Sequence, residues 1–471
     1  MLAIWKREVK SYFQNVIGWL FLAAVFVLYG LYFYAYNLRS GYPYISYALS
    51  AIAFIMLIAV PVLTMRSLAE ERHSKTDQLI LTAPVSVGKI VVGKYLAMVT
   101  VFSIDMLLIA LTPFLLMRYG TIPLGESYAA VLGFWLYGCT CIAVGIFISS
   151  LTESQVIAAV LTFAALFLGY MMDSICSLIS QTGNLLTKIL RCYDLYSPLD
   201  QFMNGTVDIS GMIYYITIIA LFLFLTGQSI QKRRWSISSK KIATGVFSTG
   251  FIAAAVAVTV VVNLFVAELP TTWTSLDVTA NQIYSITDDT KDYLKSLDED
   301  VNIYVLVSDS SKDNTLDETL QRYEAMSSHI TVSYVNPAVN PSFAAQYTDS
   351  SVTTNSMIVV SGKRSRVIDY NDVYSYSYDY STYSRNIDGY DAEGQLTSAI
   401  EYVTMESSEL PVIYEVTGHG ETALSGGFSE AVEKANITLS DLTLLTKDAV
   451  PEDAQAVIIN GPTSDFSEDD A

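Results

Sequence analysis

MRSLAEERHSKTDQLILTAPVSVGKIVVGK, residues 65–94, is a polar interruption between two long apolar runs. Its charged opening (Arg66, Glu70, Glu71, Arg72, Lys75), apolar turn Leu79-Ile80-Leu81, stop at Pro84 and restart at Ser86 predict a short amphipathic helix beside a membrane, then the start of the next span. A solvated loop carrying a charge cluster accounts for the same periodicity, and the charge pattern alone does not choose between them. His73, inside the stretch, reads as a solvated surface histidine.

The flanks set the environment. With 52% hydrophobic and 15% charged residues in 471, the chain is too apolar for an ordinary soluble protein. Each span needs about 20 apolar residues, and these occur at Val16–Tyr36, Tyr44–Met65, Tyr95–Met117, Tyr128–Ser150, Gln155–Met172, Gly211–Ile230 and Ile242–Val266. Val16–Tyr36 is too long for a signal-peptide core and no small-x-small cleavage site follows it, so it reads as an anchor. Ahead of it, Leu2, Trp5, Val9, Tyr12 and Phe13 share one helical face and Lys6, Arg7, Glu8 and Lys10 lie mostly on another, as in an interfacial helix.

Charge then gives orientation. Lys6, Arg7, Lys10, Arg66, Arg72, Lys75, Lys89, Lys94, Lys232, Arg233, Arg234, Lys240 and Lys241 fall on one side of seven spans, against Arg39, Arg118, Lys188 and Arg191 on the other. The richer side is the cytoplasm. That places the N-terminus and residues 65–94 inside and everything after Val266 outside. Residues 1–267 hold 17 Lys and Arg against 11 Asp and Glu, whereas 268–471 hold 10 against 35, two regions suited to two solvents. With no basic patch in the acidic half, nucleic acid is not an expected partner.

All four cysteines precede residue 193. Cys139 and Cys141 read as packing residues in an apolar run. Cys176 and Cys192 flank a polar loop and read as free thiols or, on an oxidising side, as a pair. The acidic half therefore has neither a thiol nucleophile nor a CxxC pair. Between the fifth and sixth spans, Leu178-Ile179, Leu185-Leu186 and Ile189-Leu190 recur at helical spacing, predicting an amphipathic helix or re-entrant hairpin, and Ser197–Asp208 reads as a turn-rich connection. Asp105 is the one acidic residue deep within a span. Unpaired, it costs at least ~2.5 kcal/mol, so it should face a bundle interior, a pore or a partner subunit, in a structural or a substrate role. Glu153 and Asp173 sit at span ends and read as interfacial.

The acidic half alternates strand and helix signals. Strands are predicted at Val301–Val307, Ile330–Val335, Ser356–Ser361, Arg366–Tyr370, Pro411–Val416 and Ala456–Asn460, and helices at Leu316–Ser327, Gly394–Met405 and Phe428–Ala435. Tyr374–Tyr390 reads as a low-complexity exposed loop. Two small lobes are expected to meet near Leu410. Ser467-Glu468-Asp469-Asp470 looks like a helix cap and first turn, so the second lobe is expected to be minimal or cut short.

No GxxxxGK[ST] occurs; Ala83–Lys89 lacks the first Gly, and Ile90 follows the Lys. ATP, if it drives this chain, must be bound by another polypeptide. The N-terminal Lys-Arg-Glu helix, two spans, a Glu-Glu segment running into Leu-x-x-x-Pro-x-Ser and Gly-Lys, four more spans and an outer amphipathic loop resemble the ABC-2 type transporter permeases. Glu70, Glu71, Leu79, Leu81, Pro84, Ser86, Gly93 and Lys94 carry the likeness, over about residues 1–235. Ser197-Pro198 through Gly205-x-Val207-Asp208 resembles the gliding-motility permease subgroup.

The resemblance implies that the N-terminal helix and the first cytoplasmic segment dock on a separate P-loop ATPase, with Glu70, Glu71, Leu79, Leu81, Pro84 and Lys94 at the coupling surface. It also implies a second permease copy or paralogue. Thr279-Ala280-Asn281-Gln282-x-Tyr284-Ser285-Ile286-Thr287 and Glu415-Val416-Thr417-Gly418-His419-Gly420-Glu421 are similar to segments of the second gliding-motility (Gldg) component, fused here in one chain. His419 fits a strand-end turn needing left-handed glycines, or a binding loop.

The expected architecture is thus a polytopic α-helical membrane protein of about seven spans with an extracytoplasmic α/β region. Residues 1–235 form the permease bundle, 236–267 a linker and seventh span, 268–410 a thioredoxin-like lobe and 411–471 a partial flavodoxin/amidotransferase-like lobe. The expected function is export across a bacterial plasma membrane as a non-catalytic subunit, with no catalytic, metal or cofactor site of its own. The rival is a mechanical or scaffold component carrying ATPase-driven motion to an envelope partner of residues 268–471.

Overall fold

In the computed structural model the apolar runs fold as helices of bilayer length. Residues 1–76, 85–179, 185–232, 242–267, 269, 274–279, 285–307, 311–348, 351–362, 364–379, 384–405, 410–443 and 449–466 are described. The chain forms two units, Met1–Ser285 and Ile286–Ala471, each with its own core.

The first unit begins with α1 (Leu2–Gln14) and α2 (Val16–Phe33), which runs on as a π-helical turn at Tyr34–Arg39. Then come α3 (Ser46–Thr64), α4 (Ala69–His73), α5 (Val87–Ile109), α6 (Thr112–Leu116) and α7 (Leu124–Leu151). These are followed by α8 (Gln155–Tyr170), α9 (Met172–Ile179), α10 (Leu185–Arg191) and α11 (Ser197–Met203). Strand β1 (Thr206–Asp208), α12 (Ile209–Lys232), α13 (Ile242–Ala267) and strand β2 (Ser275–Asp277) complete the unit.

Among the described residues, six stretches are long and apolar enough to cross a membrane: Val16–Arg39, Ser46–His73, Val87–Leu116, Leu124–Leu151, Ile209–Lys232 and Thr249–Ala267. The expected span at Gln155–Met172, the fifth in chain order, falls on the pair α8 and α9, bent by 55°. The Gly169 carbonyl accepts from the Leu195 amide at 3.0 Å. A backbone group spent outside the helix breaks the ladder where the axis turns.

Helix α7 is the bundle's centre, and its glycines mark where neighbours approach most closely. A Cβ on Gly138 would lie 2.3 Å from the Phe102 ring of α5, and one on Gly145 2.4 Å from Thr64 Oγ1 of α3. Cys139 and Cys141 pack in the same helix as buried free thiols; Cys176 and Cys192 are free as well.

Three sequence expectations change in this unit. The third span starts at Val87 rather than Tyr95, because the charge of Lys94 is absorbed inside the protein and does not end the helix. Ser197–Asp208 is a helix and a strand rather than turns: Pro198 sits in the first turn of α11, where it removes no needed hydrogen bond. Finally, β1 pairs antiparallel with β2 (Thr206 with Asp277, Asp208 with Ser275), and the Val278 amide donates to the Gly205 carbonyl at 3.1 Å. The chain beyond the last span thus belongs to the first unit, which ends at Ser285 rather than at 267.

The second unit holds α14 (Asp288–Lys295), β3 (Val301–Leu306), α15 (Asn314–Met326), β4 (Ile330–Val335), β5 (Met357–Ser361) and β6 (Ser365–Ile368). After α16 (Tyr370–Val373) come β7 (Tyr374–Asp379), β8 (Ser384–Tyr390) and α17 (Ala392–Thr404). The four main strands run β4-β3-β5-β6, a mixed sheet with β3 and β4 parallel and the other pairs antiparallel.

Residues 374–390 contain a hairpin instead of the expected loop. The alternation of Tyr and Ser in YSYSYD is a strand period, and Tyr374 and Tyr390 pack against the core. A second, parallel sheet has the order β10-β9-β11, with β9 at Val412–Thr417, β10 at Thr438–Thr443 and β11 at Ala454–Ile458. The unpredicted β10 follows α18 (Gly426–Lys434). Ser467–Asp470 lies outside the described residues.

Gly138→Val and Gly145→Val are each expected to cost ~1–3 kcal/mol by overpacking, seen as a lowered melting temperature of the detergent-solubilised protein. Gly30→Val, with nothing within 4 Å of its Cβ, is the control and should leave melting nearly unchanged.

Candidate coupling site

Three helices converge where residues 65–94 meet the N-terminal helix. Helix α1 lies along α5: the Trp5 indole donates to Thr100 Oγ1 at 3.0 Å, and the Tyr12 hydroxyl donates to the Leu63 carbonyl at 3.2 Å. Gly93 lets it lie close, since a Cβ there would meet Ile4 at 3.2 Å. Helix α4 is pinned to the end of α7. The amides of Leu68 and Ala69 donate to Ser149 Oγ at 3.2 and 3.1 Å, and Arg72 pairs with Glu153 at 3.2 Å.

Lys94 of α5 sits at the junction, only 2% exposed. Its ammonium donates to Glu71 Oε1 of α4 at 2.7 Å and to the Ser67 carbonyl at 3.1 Å, and lies 3.2 Å from Glu8 Oε1 of α1. Two hydrogen bonds and a second carboxylate surround the ammonium, which is how a buried charge is tolerated. Arg7 joins from the outer side, 2.9 Å from Glu8 and 3.8 Å from Glu71. Beside these groups, Arg66 pairs with Glu70 one helical turn on, at 2.7 Å for Nη2 to Oε1. A cavity of about 450 Å³ opens here, lined by Arg7, Tyr12, Arg66, Glu70, Glu71 and Lys94 among others.

The electrostatics follow from these pairs. The hydrogen bond from Arg66 holds the Glu70 carboxyl below its ordinary value of 4.5, and Arg66 is raised in return. Glu8 raises Arg7. Burial pushes the Tyr12 hydroxyl well up.

Of the residues expected at this surface, Glu70, Glu71 and Lys94 come together, while Leu79, Leu81 and Pro84 lie outside the described residues. Lys94 faces inward, so it joins the elements and presents no charge to a partner. Glu71 is mostly turned inward with it, and Glu70 keeps 40% of its side chain exposed. His73 is exposed, as expected. Sequence reasoning missed Glu8, Ser67 and Ser149 as members of the cluster. The Lys-Arg-Glu run of α1 was the one available signal for Glu8, and nothing in the spacing pointed to the two serines.

Asp105 is buried at 1% exposure in α5, and neither carboxyl oxygen has a hydrogen-bond partner among the described residues. In the second unit His419 is buried at the end of β9, stacked on Phe466 at 4.4 Å between centroids. Its carbonyl accepts from the amides of Thr463 and Ser464, and its flanking glycines have φ of 121° and 74°. This is the strand-end turn for which left-handed glycines are needed.

The comparisons with known proteins fit this geometry. Residues 33–227 match the family described as ABC-2 family transporter protein, and residues 280–374 match a domain of unknown function, DUF7088. No curated protein matches the chain. The first match makes the N-terminal region similar to a multi-pass transmembrane transporter subunit, a kind of component that is generally non-catalytic and pairs with an ATPase.

Lys94→Met is expected to cost about 3 kcal/mol, because it leaves Glu8 and Glu71 beside each other with only the outer, exposed Arg7 as a counter-charge. In a double-mutant cycle Lys94→Met/Glu71→Gln should recover part of that loss; purely additive melting shifts would show that the two side chains do not interact. The Glu70 carboxyl is depressed in the folded state, so its contribution is present above 4.5 and fades as pH falls through the lowered value. Because the pair is exposed, the effect is at most ~0.5 kcal/mol. Arg66→Gln should remove that part of the acid limb of a stability–pH curve and leave neutral stability almost unchanged.

Proposed function

With the similarity of residues 33–227 to ABC-2 family transporter proteins as the premise, we propose that this chain is the membrane subunit of an ATP-driven exporter in a bacterial plasma membrane. Hydrolysis takes place on a separate P-loop ATPase, and ATP reaches the mechanism only through that partner. The ATPase docks on α1 and on the stretch from Glu70 to Ala83, part of which lies outside the described residues. Two bundles, copies or paralogues, pair in the bilayer and rock between inward and outward states as the ATPase opens and closes.

The observation that carries this reading is the Lys94 junction. A push on α1 or α4 acts on a hydrogen-bonded ammonium fixed to α5, and α5 is a span. Docking and transmission then fall on different residues. Lys6, Arg7 and Lys10 on α1, with His73 at the end of α4 and Lys75 after it, are exposed and available to a partner. Lys94 and Glu71 carry the displacement inward. The Lys and Arg excess on this side supports a cytoplasmic N-terminus, and by the same rule the region after the last span is extracytoplasmic. The likeness to gliding-motility components, including that of residues 279–287 and 415–421 to the second component, is part of this reading.

A second reading is favoured by the β1–β2 ribbon. The chain leaving the last span is hydrogen-bonded back to the segment between α11 and α12. Residues 275–277, near the start of the acidic region, are thereby held to the bundle, as a mechanical component acting on envelope partners would use.

Co-expression with the cognate ATPase tests the division of roles. Lys6→Glu/Lys10→Glu should reduce co-purification of the ATPase. A Lys94→Met variant should keep co-purification yet lose most of the coupled turnover. ATP hydrolysis by the purified chain alone, at rates matching the complex, would contradict the proposal.

A further inference from the structure

The coupling junction uses every charged group near Lys94 but leaves one ionisable group of the same helix unexplained. Asp105 is 1% exposed, and both of its carboxyl oxygens lack hydrogen-bond partners among the described residues. It stands eleven residues from Lys94, about 16 Å along the axis at 1.5 Å per residue, out of reach of that ammonium.

The layers on either side of it are apolar or already satisfied. One turn toward Lys94, the Phe102 ring packs against Phe21 at 6.4 Å and Phe134 at 6.2 Å. On the other side Ile109 is fully buried, and Thr112 shares a hydrogen bond of 2.7 Å with the Tyr29 hydroxyl.

Helices α1, α2, α7 and α12 pack against α5. Their charged side chains are Lys6, Arg7, Glu8 and Lys10 on α1, Glu126 in the first turn of α7 and Lys232 in the last turn of α12, and none forms an ion pair with Asp105. Their remaining titratable groups are neutral hydroxyls and thiols: Tyr12 on α1, Tyr29 and Tyr32 on α2, Tyr128, Tyr137, Cys139 and Cys141 on α7, and Tyr214 and Tyr215 on α12. None of these described groups brings the carboxyl a positive charge or a hydrogen bond. A bare charge at such depth costs at least ~2.5 kcal/mol. Binding a proton removes that cost.

We propose that Asp105 is a proton-binding site at the heart of the bundle, occupied in the packed arrangement described here and emptied when the helices around α5 part. On opening, water enters and the carboxyl O–H bond breaks. The electron pair stays on the carboxylate and the proton passes to the admitted water. A hydrated aspartate titrates near ~3.9, so at neutral pH it gives the proton up. Repacking of α5 demands that a proton be taken back. One proton is therefore bound and released per cycle of the bundle. The release half of this inference rests on the rocking mechanism proposed above, whereas the occupied site does not.

Carbodiimide labelling separates the two halves. Dicyclohexylcarbodiimide reacts with protonated carboxyls in apolar surroundings, whereas a water-soluble carbodiimide with an amine nucleophile reports carboxyls open to water. With the full chain alone in nanodiscs, peptide mass spectrometry should find Asp105 modified by the first reagent and spared by the second. In Asp105→Asn the label should fall to background. An infrared carbonyl band of a free carboxylic acid, absent from Asp105→Asn, gives the same answer without chemistry on the site. Labelling by the water-soluble reagent alone, or no label together with no acid band, would overturn the occupied site. With the ATPase added and trapped in its ATP-bound state, reactivity should shift from the first reagent to the second. An unchanged pattern in the trapped complex overturns release while leaving the resting site standing.

Discussion

A single buried ammonium group joins three helices of the membrane unit, α1, α4 and α5. Lys94 is buried within a helix of bilayer length, and it is tolerated because Glu71, Glu8 and the Ser67 carbonyl surround it. None of the three helices involved could make the same contacts in another register. A one-residue slip in α1 would carry Glu8 away by about 100° around its axis, leaving the lysine short of an acceptor. The interaction is worth less as stabilisation than as specification, the role in which buried polar contacts are best attested. It also explains why α1, an amphipathic helix with no fully buried residue of its own, is an ordered part of the bundle.

Much of this architecture could be read from the chain before any coordinates. Apolar length alone located the spans, and the Glu-Glu segment and the Lys-Arg-Glu run located the elements that meet at Lys94. What could not be read was which side chains turn inward. Lys94 looks like a surface lysine at a span boundary, since hydropathy counts a charge without knowing its partners, and those lie 23 residues away at Glu71 and on a different helix at Glu8. Ser149 is invisible for the same reason: a serine near the end of an apolar helix has no pattern that marks it as the acceptor for two amides of α4.

The second unit shows the converse difficulty. Local signals there were sound, and the four strands of the mixed sheet fell where β-branched runs predicted them. The tyrosine-rich stretch looks like a loop by composition, whereas its period is that of a strand. Its alternate residues form a hairpin, and Tyr374 donates to Asp313 at 2.9 Å while Tyr390 donates to the Thr315 carbonyl at 3.2 Å. Strand β10 was missed for a different reason. Thr438–Thr443 carries only two aliphatic side chains, and of these only Leu442 is buried, so the segment lacks the apolar run that announces a parallel strand.

The small ribbon between β1 and β2 bears on how the molecule comes into being. Strand β1 is made before the last two long helices, yet its partner lies beyond them both. During synthesis the membrane unit therefore stays one strand short until the chain has crossed the bilayer a final time and come back to the bundle. Helix insertion and completion of the fold are separate events, and the second waits on residues that hydropathy would assign to another domain. Severing the chain right after its last span would leave an open strand edge where the intact protein has a closed one.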